Sequence, residues 1–161
     1  MTRPEFSSYR SLLFVICCLL GAGCAHDTYQ ERANMIKSQA EAFYDNLKAN
    51  RVESAIRDNE QIEAMASQMG DTVRKRAARQ GTTVVEREFD LMTTANEAAA
   101  TNWLALGQYF AVKRKFPQAR ATYQRVIDTY TNPTDKPYRE QALRALRDLD
   151  ILNPPTATTN P

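Results

Sequence analysis

Apolar residues recur every three or four positions along most of this chain. Between residues 33 and 73 they are Ala33, Ile36, Ala40, Phe43, Leu47, Val52, Ala55, Ile56, Ile62, Ala66, Met69 and Val73. This spacing places them on one face of an α-helix, whereas a half-buried strand would alternate apolar and polar residues. The chain has only five glycines, and alanine, glutamate, glutamine, arginine and leucine are strong helix formers. We therefore predict an all-α fold of antiparallel helix hairpins with long N-terminal helices.

The helical pattern is interrupted at two or three points. The phase slips at Ala49-Asn50-Arg51, which indicates a tight turn between helices, and Gly70 is a weak spot because glycine costs about 1 kcal/mol in a helix interior. Gln80-Gly81 ends this region, so residues 33–80 are predicted to form two or three helices. Thr83 and Glu86 then have capping-box spacing at the start of a long helix. Its apolar stripe is Phe89, Met92, Asn96, Ala99, Trp103, Leu106 and Phe110.

The N-terminus differs in composition from the rest of the chain. Arg3 and Arg10 precede an unbroken apolar run from Leu12 to Leu20. A membrane-spanning helix needs about 20 apolar residues, so this shorter run after a positive segment is typical of a secretory signal peptide. We assign residues 1–23 to the signal.

The segment Leu20-Gly21-Ala22-Gly23-Cys24 resembles the lipobox of bacterial lipoproteins, although Gly21 stands where that family usually has leucine. The resemblance implies cleavage between Gly23 and Cys24, and attachment of a diacylglyceryl group to the Cys24 thiol. Ala25, where aspartate would imply retention in the inner membrane, implies an outer-membrane location facing the periplasm. Residues 24–32 would form the tether. The alternative is an ordinary secretory signal that leaves Cys24 as a free thiol.

Loss of the signal also removes most of the chemistry that the cysteines offer. Cys17 and Cys18 leave with residues 1–23, so no disulfide or cysteine zinc site is expected. His26 is the one histidine, which leaves no catalytic triad away from the tether, and no phosphate-binding loop is found. The net charge of +2 falls to +1 without Arg3, Arg10 and Glu5, which gives no bias toward nucleic acid. We expect neither an enzyme nor a bound metal or cofactor.

The segment "NWLALGQYFAVKRKFPQARATYQRVIDTY" carries large and small residues at regular intervals. The positions concerned are Trp103, Leu106, Gly107, Phe110, Phe116, Ala119 and Tyr123. Seven such positions in register resemble the tetratricopeptide repeat, a helix-turn-helix unit. Gly107 and Ala119 would allow two antiparallel helices to approach, and Lys113-Arg114-Lys115 would form the turn.

A capping helix is expected to complete this helical domain over residues 83–152. Pro137 suits its first turn, and Asn153-Pro154-Pro155 ends it, leaving a disordered tail over 153–161. Its apolar face is Ala142, Leu143, Ala145, Leu146, Leu149 and Leu152. A weaker echo of the repeat is found upstream, where its turn, aromatic, alanine and small apolar positions correspond to Asn50, Val52, Ala55 and Ile62. Because the aromatic residue expected at Asn59 and the tryptophan are missing, the sequence leaves open whether residues 33–80 form a degenerate repeat.

The resemblances together imply a lipid-anchored envelope protein. The leading hypothesis is an adaptor or scaffold that binds an unidentified protein through its tetratricopeptide-like domain. A second hypothesis is a structural lipoprotein that self-associates through the stripe from Phe89 to Phe110. A third is an accessory factor that contacts anionic envelope components through a cluster of basic residues. The simpler interpretation of this cluster is a solvated helix face. The basic residues concerned are Arg74, Lys75, Arg76 and Arg79.

Overall fold

The computed structural model describes residues 24–77 and 82–153, with side chains placed over 28–77 and 85–153. Every regular element in these ranges is helical, which confirms the predicted all-α class. The elements are α1 (Cys24–Lys48), α2 (Val52–Ala77), α3 (Thr82–Val112), α4 (Phe116–Thr129), a 3₁₀ turn (Pro133–Asp135) and α5 (Lys136–Leu152). The predicted signal peptide, Arg79 and the tail after Asn153 lie outside the described residues.

The chain divides into two compact units, residues 1–35 and 36–161. In the first unit the described residues, 24–35, are helical, so the predicted tether at 24–32 is a helical segment. The second unit contains the remainder of the described chain, including all of α2 to α5.

The turn between α1 and α2 has a well-defined hydrogen-bond pattern. Arg51 N donates to Asn46 O at 2.8 Å and Asn50 N donates to Leu47 O at 3.1 Å, which is the Schellman arrangement. Asn50 lies in the left-handed region with φ of 58°, a conformation that asparagine tolerates better than most residues. The predicted turn at residues 49–51 is therefore confirmed.

The turn between α3 and α4 repeats this pattern. Lys115 N donates to Phe110 O at 2.9 Å, and Arg114 N donates to Ala111 O at 3.0 Å. Arg114 has φ of 56°, so an arginine occupies the left-handed position that glycine fills most readily. The turn predicted at Lys113–Lys115 is confirmed.

Helix α2 continues through Gly70 to Ala77, so the first region contains two helices. Gly70 is buried, and a Cβ there would lie 3.2 Å from Met92 Sδ on α3. The glycine therefore permits a close approach between α2 and α3 instead of marking a helix end.

Small residues dominate the contact between α2 and α3. The buried apolar residues of the two helices include Ala55, Ile62, Ala66, Met69, Leu91, Ala95, Ala99 and Ala100. Two fully buried amides cross the same contact: Asn102 Nδ2 donates to Asn59 Oδ1 at 2.9 Å, and Asn59 Nδ2 donates to Ala99 O at 3.1 Å. These bonds satisfy polar groups whose burial would otherwise be costly.

Phe89 departs from the predicted α3 stripe. Phe89 is 50% exposed and Met92 and Asn96 are half-buried, whereas Leu91 and Ala95 are buried. The reason is that α3 packs on α2 through the small residues at its four-residue steps, which turns Phe89 outward. From Ala99 onward the predicted stripe is buried as expected.

The hairpin of α3 and α4 packs through the predicted residues. Trp103, Leu106, Gly107, Phe110, Ala119 and Tyr123 are buried, and Phe116 is half-buried. A Cβ at Gly107 would lie 2.5 Å from Cε1 of Tyr123 and 2.8 Å from its Cδ1. The ring of Tyr123 thus occupies the space that the missing side chain leaves.

Helix α5 begins with Pro137 in its first turn, as predicted. Ala142 and Leu149 are buried, and Ala145 and Leu146 are half-buried. Leu143 and Leu152 are exposed, contrary to the predicted apolar face. Within the described residues α5 packs on α3, α4 and the 3₁₀ turn, and these elements leave the two leucines uncovered.

Substitution of Gly107 by alanine tests the close packing of α3 and α4. We expect Gly107→Ala to lower the free energy of unfolding by about 1 to 3 kcal/mol, because the Tyr123 ring must move. Urea unfolding of wild type, both single variants and the double variant measures this. In a Tyr123→Ala background the same change should become neutral or stabilise by up to about 1 kcal/mol, since alanine favours the helix. An equal loss in both backgrounds would contradict the packing described.

Candidate functional site

A groove of about 580 Å³ lies between α3 and α5, with Tyr123 of α4 contributing to its lining. Two chain reversals separate α3 from α5, so the helices run in the same direction. The residues from α3 are Thr101, Leu104, Ala105, Gln108 and Ala111. The residues from α5 are Gln141, Arg144, Ala145, Asp148, Leu149 and Leu152.

The lining of this groove combines small apolar and polar side chains. Ala105 and Ala145 leave room between the helices, and the exposed amides of Gln108 and Gln141 make no side-chain hydrogen bond within the described residues. Burial and the Asp148 carboxylate raise the pKa of the Tyr123 phenol. The phenol is therefore neutral at physiological pH, so the groove offers uncharged donors and acceptors beside apolar surface.

Contacts at both ends hold α5 beside its neighbours. Arg120 of α4 forms a salt bridge with Asp150 and donates hydrogen bonds to Asn153 O at 2.6 Å and Leu149 O at 3.3 Å. Near the other end, Arg139 of α5 donates hydrogen bonds to Tyr130 O at 2.7 Å and to Asn132 O at 2.9 Å. Polar contacts therefore add to packing in holding α5 beside α4.

A second feature is a polar cluster centred on Glu63 of α2, which we term the Glu63 cluster. Its Oε1 accepts hydrogen bonds from Trp103 Nε1 at 2.7 Å and Tyr130 Oη at 2.9 Å. Its Oε2 accepts from Arg125 Nη2 at 2.7 Å. One carboxylate thereby joins α2, α3, α4 and the residue that follows α4.

Arg125 makes two further contacts in this cluster. Its guanidinium lies 3.9 Å from the centroid of the Trp103 ring, and its Nη1 is 3.6 Å from Glu60 Oε1. Tyr130 is buried, and burial together with Glu63 raises the pKa of its phenol, which therefore remains a donor. Ion pairing, cation–π stacking and hydrogen bonds therefore all hold the side chains of the Glu63 cluster in place.

Sequence reasoning identified Trp103 as a packing residue but missed Glu63, Arg125 and Tyr130. One signal was available: a buried tryptophan needs an acceptor for its indole N–H. Glu60 and Glu63 are three residues apart and therefore lie on one helix face. Two neighbouring carboxylates favour cationic groups or hydrogen-bond donors as their partners. The sequence did not indicate which distant residues would meet them.

A second cavity of about 440 Å³ lies beside the Glu63 cluster and includes Arg74 in its lining. Arg74 belongs to the predicted anionic-surface cluster but forms a salt bridge with Asp71. Arg76 is paired with the buried Glu88 at 3.5 Å, whereas Lys75 is exposed. Two of the three described members are therefore already paired with carboxylates of this chain.

The predicted lipidation residue, Cys24, is the first residue of α1, and its side chain lies outside the described part of the structure. Among the described residues, no group of three or more histidine, cysteine, aspartate or glutamate side chains could hold a metal ion. No helix in the described ranges is both long and apolar enough to cross a membrane.

Comparison with protein-family models, with curated proteins and with solved structures found no match. The tetratricopeptide and lipobox resemblances therefore stay predictions from the residues that carry them.

Substitution of Glu63 tests the importance of its cluster. We expect Glu63→Gln to lower the free energy of unfolding by about 1 to 3 kcal/mol, because the Arg125 charge and two donors lose their anionic acceptor. Trp103 is the one tryptophan of the chain, so its fluorescence reports directly on the cluster during urea unfolding.

Glu60→Gln provides the matched control, since Glu60 is half exposed and reaches Arg125 at 3.6 Å. Its cost should stay below about 0.5 kcal/mol, as for surface ion pairs. Equal losses for the two variants would show that Glu63 is not the centre of the cluster.

Proposed function

We propose that this protein is a bacterial lipoprotein, anchored by acyl chains on Cys24 in the outer membrane and facing the periplasm. Its tetratricopeptide-like helical domain binds a segment of another protein in the groove between α3 and α5. The protein acts as an adaptor or scaffold and not as a catalyst. The single observation that carries the proposed binding role is the groove itself.

The dimensions of the groove suit a short polypeptide segment. Its lining extends from Thr101 to Ala111 along α3, which is about 15 Å at the rise of an α-helix. An extended chain covers this length with about four or five residues. The amides of Gln108 and Gln141 can pair with the backbone of such a segment, and Leu104 and the nearby alanines can contact its side chains.

Support for the anchor comes from the sequence. The apolar run Leu12–Leu20, the small residues before Cys24 and the thiol itself provide the parts that lipidation requires. Two or three acyl chains would give stable attachment, whereas a single chain binds a bilayer only marginally.

The two alternatives receive less support from the described residues. Self-association through the α3 stripe is disfavoured because Trp103, Leu106 and Phe110 are buried within the chain, which leaves Phe89 as the exposed large residue of that stripe. Binding of anionic envelope components through Arg74 and Arg76 would compete with the salt bridges those residues already make.

Photo-crosslinking in cells tests groove binding. A photoreactive amino acid at Gln108 or Gln141 should yield an adduct of one discrete mass. The same amino acid at Gln124, an exposed residue of α4 outside the groove, should not. Ala105→Arg should abolish the adduct by filling the groove. Equal crosslinking from all three positions, or none from the groove, would contradict the proposal.

Metabolic labelling tests the anchor separately. A radioactive fatty acid should label the wild-type protein, and Cys24→Ser should remove the label because serine has no thiolate to alkylate. Equal labelling of both proteins would exclude Cys24 as the anchor while leaving groove binding untouched.

A further inference from the structure

One end of the groove carries an exposed apolar and positively charged surface, which we term the groove tip. It consists of Val112, Lys113, Arg114, Lys115, Ile151 and Leu152. Val112, Ile151 and Leu152 are 76%, 81% and 71% exposed, which makes them the most exposed of the large apolar residues described. Exposed apolar side chains that lie together mark interaction sites.

These residues come from separate elements that meet at one end of the molecule. Ala111 of α3 and Leu152 of α5 both line the groove. Arg120, one turn into α4, binds Asp150 and the carbonyl of Asn153. The C-termini of α3 and α5 and the N-terminus of α4 therefore lie together.

The charges at the groove tip are not neutralised within the described chain. Lys113, Arg114 and Lys115 are exposed, and none of them forms a salt bridge to a described carboxylate. The Lys113 ammonium lies 5.7 Å from the centroid of the Tyr109 ring, a cation–π contact that provides no neutralising negative charge. Two acidic residues lie nearby. Asp150 is paired with Arg120, and Asp148 lines the groove together with Tyr123 and Arg144, whose charge is opposite to its own.

We propose that the segment bound in the groove is acidic, with aspartate or glutamate side chains at Lys113–Lys115 and an apolar side chain against Val112, Ile151 and Leu152. This inference rests on the proposed function and specifies the chemistry of its partner. Apolar surface beside cations also suits an anionic membrane, but a flat bilayer cannot fill the concave groove or pair with Gln108 and Gln141. The polypeptide is therefore the occupant that matches both the tip and the groove.

Selection from a phage library of random peptides tests this inference, with the full-length protein held in detergent. The selected peptides should contain more aspartate and glutamate than the unselected library. A synthetic copy should lose affinity about tenfold or more when Lys113, Arg114 and Lys115 are all changed to glutamine, as expected for loss of several surface ion pairs. Its affinity should also fall as salt concentration rises.

A matched control changes Lys37, Lys75 and Lys136 to glutamine, which removes the same charge from exposed positions away from the groove tip. Affinity should then stay within about twofold of wild type. Trp103 fluorescence confirms that each variant is folded.

Three results would overturn the inference, and they differ in what they leave standing. Selected peptides that lack acidic enrichment but lose binding with Ala105→Arg would preserve groove binding and refute its charge preference. If no selected peptide depends on Ala105, groove binding itself fails. If phosphatidylglycerol vesicles bind through Lys113–Lys115 and no peptide does, the groove tip is a membrane contact.

Discussion

The carboxylate of Glu63 is the interaction on which the arrangement of the helices depends. It accepts hydrogen bonds from Trp103, Arg125 and Tyr130, which reach it from three successive parts of the chain. Apolar packing alone is non-directional, and the many alanines between α2 and α3 would allow helices to slide along one another. A charge with three directed partners fixes the position of α4 against α2 and α3. Because Arg120 binds α5 to α4, the position that Glu63 gives to α4 also determines where α5 lies and therefore where the groove forms.

The two helical hairpins use the same turn but distribute side-chain volume differently. Asn50 and Arg114 occupy equivalent left-handed positions. Seven residues before each lies Phe43 in one hairpin and Gly107 in the other, and nine residues after each lies Asn59 or Tyr123. The large residue is thus on the first helix of one hairpin and on the second helix of the other, and all four are buried. Asn59, which stands where the repeat pattern expects an aromatic residue, instead accepts a hydrogen bond from Asn102 and donates one to Ala99 O.

Local patterns predicted the helical class, both turns and the packing of Gly107 against the opposite helix, because each depends on residues close in sequence. The groove depends on which faces of α3 and α5 remain uncovered, and that is decided by packing between distant residues. Phe89 and Leu152 illustrate this: each continues an apolar pattern, yet each is exposed because no described helix covers it. The Glu63 cluster could not be predicted from local sequence patterns, since its members are separated by up to 67 residues. The sequence indicated only that the indole N–H of a buried Trp103 needs an acceptor; it did not indicate which residue provides that acceptor.

The conformation of Arg114 has a consequence for how stability and charge are balanced in this protein. A left-handed backbone costs roughly 1 to 2 kcal/mol for a residue with a side chain and almost nothing for glycine. Folding alone would favour glycine at position 114, as at many helix ends. The chain instead places a cation there, between two lysines, at the open end of a groove. Part of the available stability is therefore given up where positive charge is concentrated, and the acidic partner that we propose would give that charge a role that glycine cannot fill.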